Sequence, residues 1–124
     1  MASKPVQRSL KDLRENGWTC CIVEKWIAPI KKRQDAFGFA DILACRALPT
    51  NRLDTNGKIV FVVGQVALIQ ATDHTSHAKR RAKTVSLPEF RKWKESGGFV
   101  FLDSWGKKGA RGARKTWQLR REVL

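Results

Sequence analysis

Two short segments place side chains that could bind a metal ion among apolar residues. Asp41 stands in GFADILA at 38–44, and Gln70 and Thr72 end the most hydrophobic run of the chain in IQAT at 69–72. A buried carboxylate needs a partner or a metal ion. If the two segments are adjacent strands, the oxygens of Asp41 and Gln70 meet at one cation. The alternative for Asp41 is an aspartate at a strand edge that pairs with an arginine.

The charge of the chain is distributed unevenly along its 124 residues, which carry a net charge of +14. Residues 1–34 have 8 basic and 3 acidic groups, and residues 77–124 have 14 basic and 4 acidic groups. Residues 35–76, in contrast, have only 3 basic and 4 acidic groups. A polyanion is therefore the expected partner. A nearly neutral centre between two cationic flanks favours a metal site inside a nucleic-acid groove over phosphate binding alone.

Periodicity and turn residues predict the elements that would position these segments. A helix over 3–16 is capped by Ser3 and ended by Gly17, and a second helix begins with the capping-box residues Ser86 and Glu89. The remaining stretches are rich in β-branched and aromatic residues, which is typical of strands. The predicted strands span 18–27, 37–48, 58–72, 99–105 and 116–123, and the second helix ends at residue 95.

The connections between these elements carry their own signals. Asn56-Gly57 predicts a hairpin between the second and third strands, and Gly64 predicts a bulge or bend in the third. Residues 75–82 are expected to form a short helix or an ordered loop, and residues 106–115 a flexible basic loop.

Length and composition limit the class of protein. A chain of this size is expected to form one domain over 1–124. No apolar run approaches the roughly 20 residues that span a bilayer, and no signal peptide is indicated. Three cysteines without CxxC spacing indicate neither a disulfide framework nor a zinc site, so a reducing, cytoplasmic setting is expected.

The predicted order is a helix, a strand, an aspartate at the start of a second strand, a hairpin, and a third strand that ends in a polar pair before a basic helix. This order resembles the PD-(D/E)xK nuclease superfamily. Within it, the chain is most similar to small phage and prokaryotic members related to Holliday-junction resolvases and VRR-NUC domains. The segments that carry the resemblance are ENGW at 15–18, DAFGFADILA at 35–44, LIQATD at 68–73, WKESGG at 93–98 and WQLRREVL at 117–124.

The resemblance implies a fold and a function. The fold would be of the α/β class, with a restriction-endonuclease-like αβββαβ core whose mixed central sheet is flanked by helices. The function would be a metal-dependent endonuclease that hydrolyses DNA phosphodiester bonds, with branched or junction DNA as a candidate substrate. A homodimer in the cytoplasm of a prokaryotic or phage-infected cell would be expected.

The resemblance also implies roles for single residues. Asp41 matches the aspartate of the family motif, Gln70 matches its glutamate, and Ala71 supplies the backbone carbonyl between; together they would hold Mg²⁺ or Mn²⁺. Thr72 stands at the position of the motif lysine, so ExK has become QxT. Because threonine has no positive charge, another cation would have to replace the lysine. The expected catalytic residues are therefore Asp41, Gln70, Thr72 and Lys79, with Arg81 or Lys25 as alternatives to Lys79.

If no cation replaces the lysine, the chain would be a catalytically inactive nuclease-fold module that binds nucleic acid. Asp73, next to the motif, is expected to cap a helix. Glu24 and Asp35 are candidate further metal ligands. Alternatively, Glu24 forms an ion pair at the surface, and Asp35 is a solvated turn residue.

The expected partner is nucleic acid, with DNA preferred to RNA and no membrane involved. Three basic segments are expected to contact its phosphates, although runs of this kind can also be solvated faces. The candidate residues are Lys31, Lys32 and Arg33; His74, His77, Lys79, Arg80, Arg81 and Lys83; and Lys107, Lys108, Arg111, Arg114 and Lys115.

Overall fold

A five-stranded mixed sheet with helices on both faces forms the centre of the computed structural model, which describes residues 2–49, 55–57 and 62–124. This arrangement confirms the expected α/β class with a mixed central sheet flanked by helices. The helices are α1 (Lys4–Glu15), α2 (His77–Ser86) and α3 (Pro88–Glu95). The strands are β1 (Thr19–Ile22), β2 (Lys25–Ile27), β3 (Lys32–Gln34), β4 (Ile42–Pro49), β5 (Val62–Asp73), β6 (Phe99–Lys108) and β7 (Thr116–Val123).

The strands of the sheet follow the order β1-β4-β5-β6-β7. Neighbouring strands are antiparallel except β5 and β6, which are parallel. A parallel pair needs a long crossover, and α2 with α3 supplies it. The predicted hairpin between β4 and β5 is present, and Gly57 in its turn has a φ of +79°. Residues 50–54 of that turn and 58–61 of the predicted third strand lie outside the described residues.

The two faces of the sheet bury different helices because side chains alternate along each strand. On one face, residues of β4 and β5 pack against α1. The buried cluster there comprises Val6, Leu10, Leu13, Trp18, Ile42, Ala44, Ala67 and Ile69. On the other face, Phe39, Ala40, Leu68 and Val100 are buried, with Leu87, Phe90 and Trp93 packed against them.

The first helix has the ends that were predicted. Ser3 caps α1 by accepting a hydrogen bond from the Val6 N–H, and Gly17 follows the helix with a φ of +85°. The Asp73 side chain likewise accepts a hydrogen bond from the Ser76 N–H and caps a 3₁₀ turn over His74–Ser76. In these places local chemistry was sufficient for a correct prediction.

The predicted strand over 18–27 is wrong in one respect, because it is two strands in two different sheets. β1 pairs with β4 in the central sheet, whereas β2 and β3 form a separate two-stranded ribbon. The strand predicted from residue 37 begins only at Ile42, since residues 36–40 form a tight turn in which the Ala36 and Ala40 backbones exchange hydrogen bonds.

Three smaller predictions are also wrong. Gly64 makes no bulge, because it pairs with Ala47 in an uninterrupted register. Ser86 does not cap the following helix; it ends α2 and donates its hydroxyl hydrogen bond to the Lys83 carbonyl, while α3 begins after Leu87. Part of the predicted basic loop is strand, since β6 continues to Lys108. Within the described part of the chain, no helix is long and apolar enough to cross a membrane.

Candidate metal and nucleic-acid site

Asp41 is held where β4 begins by hydrogen bonds to both of its neighbouring segments. Its backbone N–H donates to the Ile69 carbonyl at 2.9 Å, and its carbonyl accepts from the Val23 N–H at 2.9 Å. Its side-chain Oδ2 accepts a hydrogen bond of 2.9 Å from the Ala71 N–H. Only 6% of Asp41 is exposed. The predicted juxtaposition of the two segments is therefore present.

Two further carboxyl groups lie beside Asp41. Ligand atoms of Glu24, Asp35 and Asp41 all lie within 4.8 Å of one another. The register of the β2–β3 ribbon explains this, because it pairs Lys25 with Gln34. Glu24 precedes the first of these residues and Asp35 follows the second, so the base of the ribbon brings both carboxyl groups to one place.

The crowding of these acids changes the protonation of Asp41. Burial is the largest cause that raises the pKa of Asp41 to about 8; the Ala71 N–H opposes this rise, and Asp35 and then Glu24 add to it. A cation bound among the three carboxyl groups would favour the ionised form of Asp41. Carboxylate oxygens are the ligands that Mg²⁺ and Mn²⁺ prefer, so the donor set fits such an ion.

A cavity of about 380 Å³ opens over these acids. All five residues predicted as metal ligands line it, and four more residues complete the wall. The lining consists of Ser3, Glu24, Arg33, Asp35, Asp41, Gln70, Ala71, Arg80 and Lys83. The sequence reading missed Ser3, which had been recognised only as the cap of α1.

Gln70 is buried, and its amide oxygen already has a partner. Thr84 of α2 donates its hydroxyl to Gln70 Oε1 at 2.8 Å. This bond attaches α2 to β5 beside the cavity. No sequence signal pointed to Thr84. Thr72, two residues after Gln70, is also buried but stands outside the residues that line the cavity.

The three residues expected to replace the motif lysine do not line the cavity. Arg80 and Lys83 line it from α2, whereas Lys79, Arg81 and Lys25 do not. Residues three or four apart share a helix face, so Arg80, Lys83 and Thr84 turn toward β5 together. Arg81 instead donates to Glu122 of β7 at 2.6 Å. Lys79, the expected replacement for the motif lysine, therefore stands outside the cavity lining, whereas Arg80 and Lys83 belong to it.

The prediction that both histidines contact phosphate fails for His77. This residue is 3% exposed, with Nδ1 at 2.8 Å from Ser104 Oγ and Nε2 at 2.8 Å from Glu122 Oε1. Hydrogen bonds from His77 and then Arg81 lower the pKa of Glu122. His77 thus joins α2 to β6 and β7. His74 is half-buried, and its ring packs against Gly106, where a Cβ would come within 2.2 Å of Nδ1.

The other predicted phosphate contacts fall into two places. Lys31, Lys32 and Arg33 are exposed on the β2–β3 ribbon, and Arg33 also forms an ion pair with Glu24 at 3.7 Å. The basic residues near the β6–β7 turn are exposed as well, but outside the cavity lining. They are Lys107, Lys108, Arg111, Arg114 and Lys115.

A second polar cluster, which sequence reasoning missed, lies under α1. Asp103 of β6 is fully buried and accepts two hydrogen bonds from Arg121 of β7, at 2.7 and 2.8 Å. Ser9 of α1 also donates to Asp103 and accepts from the Trp105 indole. Arg121 also forms an ion pair with Asp12 at 3.1 Å. Because each of these groups is already paired, the cluster fastens α1 to the sheet.

Comparison of the chain with protein-family models, curated proteins and solved structures gives no significant match. Its resemblance to the PD-(D/E)xK superfamily therefore stays a hypothesis. Any assignment of function depends on the geometry and charge of the cavity.

Proposed function

We propose that the protein is a metal-dependent endonuclease that hydrolyses phosphodiester bonds in DNA. One observation carries this proposal: the carboxyl groups of Glu24, Asp35 and Asp41 share one cavity with Gln70 and with cationic residues of two different elements. Acidic ligands beside phosphate-binding cations are what hydrolysis of a phosphodiester requires.

Each part of the cavity has a role in this proposal. Glu24, Asp35 and Asp41 would hold Mg²⁺ or Mn²⁺, with the Gln70 amide and the Ala71 carbonyl as neutral oxygen donors. Such an ion, when bound, stabilises negative charge on the phosphoryl oxygens. Because carboxylate ligands bind a metal in their ionised form, binding of the ion would compete with protonation of Asp41. The Ala71 N–H keeps the Asp41 carboxyl pointed into the cavity.

The positive charge that Thr72 lacks would come from α2. Arg80 and Lys83 border the cavity and would donate hydrogen bonds to the oxygens of the scissile phosphate. The exposed cations of the β2–β3 ribbon would contact phosphates farther along the strand. Branched DNA in the cytoplasm of a prokaryotic or phage-infected cell is the proposed substrate. A homodimer through the β7 edge, where Trp117 and Val123 are exposed, would present two cavities.

A cleavage assay tests the proposal. Labelled four-way junction, flap, linear duplex and single strand would be incubated in Mg²⁺, Mn²⁺ or EDTA with the wild type and Asp41→Asn. Glu95→Gln is the matched control, because it removes one exposed carboxylate on α3. We expect metal-dependent cutting by the wild type and the control alone. Equal cutting by Asp41→Asn would refute the assigned site.

A catalytically inactive module that binds nucleic acid is the second candidate. It is favoured by Thr72 in place of lysine and by the hydrogen bond that already occupies Gln70 Oε1. This candidate predicts binding that weakens steeply with salt, because each phosphate contact releases counterions. Such binding without cutting of any substrate in either metal would favour it over the nuclease.

A further inference from the structure

An apolar cavity of about 250 Å³ lies beside the turn that connects two of the acidic residues. Its wall is formed by Phe37 of that turn and by Trp93 of α3, with ring centroids 6.2 Å apart. Glu89, Lys92 and Ser96 form the rest of its lining. The cavity is separate from the acidic one, because the two share no lining residue among those described.

The backbone at Phe37 is unfavourable for its side chain. Phe37 and Gly38 have φ values of +56° and +83°, and the Phe39 N–H donates to the Ala36 carbonyl. Two successive positive φ values are typical of a type I′ turn, whose first central position favours Asn, Asp or Gly. A bulky residue there is a conformational outlier. Since Phe37 is also 55% exposed, burial in the core does not explain the phenylalanine.

Trp93, in contrast, is held in place. Its indole N–H donates to the Phe99 carbonyl at 2.8 Å. Its ring lies so close to Gly98 that a Cβ there would come within 2.3 Å of the indole. The cavity therefore combines one fixed aromatic ring with one exposed ring on a strained turn. Outliers of this kind cluster at ligand-binding sites.

We propose that Phe37 and Trp93 form a stacking site for one unpaired nucleobase of the strand whose phosphate occupies the acidic cavity. This inference rests on the proposed function and narrows its substrate to DNA with an unpaired base beside the scissile bond. Aromatic side chains stack on any base. A paired base in a duplex has both of its faces covered by its neighbours, so only a single-stranded, junction or extruded base can enter.

The short distance between the two cavities and the cations that line them support a nucleic acid as the ligand of the aromatic cavity. Phe37 follows Asp35 by two residues, so their Cα atoms are at most about 7 Å apart. The two cavities are therefore close enough for one DNA strand to contact both. Lys92 on the rim, and the cations Arg33, Arg80 and Lys83 at the acidic cavity, would hold the phosphates on either side of the base.

The test uses oligonucleotides that carry 2-aminopurine, whose fluorescence falls when it stacks. Single strands and duplexes with the probe at successive positions would be titrated in EDTA with the wild type, with Phe37→Gly, and with the control Val85→Ala, which trims another exposed apolar side chain. Glycine suits a positive φ, so Phe37→Gly should not unfold the turn. Fluorescence anisotropy would report affinity in the same samples.

We expect quenching at one position of the single strand, lost in Phe37→Gly, and a fall in affinity of about 5-fold to 150-fold. Val85→Ala should behave as the wild type. Unchanged affinity and quenching in Phe37→Gly would overturn the inference. The stacking titration contains no metal, so its result is independent of the cleavage assay. Cleavage without base stacking would refute only the stacking site. Base stacking without cleavage would refute only the nuclease activity.

Discussion

Thr84 Oγ1 of α2 lies 2.8 Å from Gln70 Oε1 of β5 and donates a hydrogen bond to it in the buried layer between helix and sheet. This bond fixes the orientation of the Gln70 amide. Together with the contacts of His77 to Ser104 and Glu122, it holds α2 in the rotation that presents Arg80 and Lys83 to the acidic cavity.

Removal of this hydroxyl should cost stability. Thr84→Val keeps the shape of the side chain but leaves the Gln70 oxygen buried without its donor, which should lower the free energy of unfolding by about 1–3 kcal/mol. Thr84→Ser retains the donor and should lose less. Urea denaturation of the three proteins measures the difference, and an unchanged midpoint for Thr84→Val would show that the bond contributes nothing.

The stability of the metal-free protein should fall as pH rises from about 4 to about 8. Over this range folded Asp41 retains a proton that the unfolded chain has released, because its pKa is raised from 3.8 to about 8. The unfolding free energy then decreases by at most about 1.4 kcal/mol per pH unit. In Asp41→Asn, the unfolding free energy should depend less on pH. Urea titrations in EDTA at several pH values measure it, and equal slopes for both proteins would contradict the prediction.

Added Mn²⁺ should restore stability at the upper end of this pH range, where the carboxylates can bind it. Thermal unfolding of the wild type at pH 8 with and without the ion is the measurement. Asp41→Asn should respond less.

Two lysines of α2 differ in their position relative to the acidic cavity, and their substitution tests which of them supplies the proposed catalytic charge. Lys83 lines the acidic cavity and Lys79 does not. If the protein is a nuclease, Lys83→Ala should reduce cleavage about a hundredfold, as loss of one charge-stabilising donor does elsewhere. Lys79→Ala should reduce it much less. Single-turnover rates at saturating DNA measure this, and equal losses would mean that the lysines act only through overall charge.

The contributions of Asp103 and Arg121 to the free energy of unfolding should depend strongly on each other. Arg121→Met leaves a fully buried carboxylate without its two guanidinium hydrogen bonds, which should cost about 3–5 kcal/mol. Arg120→Met, on the same strand but exposed, should change stability by less than about 0.5 kcal/mol. The double variant Asp103→Asn with Arg121→Met should recover part of the loss. Urea denaturation tests all three, and similar midpoints for the two single variants would refute the role of the pair.

Local chemistry in the sequence was enough to predict several features. Ser3 and Gly17 marked the ends of α1, because capping depends on the residues next to the helix. The apolar runs around Asp41 and Gln70 predicted two strands, and the hairpin signal at Asn56-Gly57 predicted that these strands are neighbours. The juxtaposition of the aspartate with the end of β5 followed from those local signals.

Only the tertiary structure decided which other groups meet Asp41. Glu24 and Asp35 reach it because β2 leaves the central sheet and pairs with β3, a choice between two partners that strand propensity does not resolve. The packing of α2 against β5 turned Arg80 and Lys83 toward the cavity and buried His77 against Glu122. The sequence by itself indicated most strands of the central sheet, the charge of the protein and the residues that could bind a metal ion. The rotation of a helix and the pairing of a ribbon depend on contacts between residues far apart in the chain, so only the structure showed which of these residues meet.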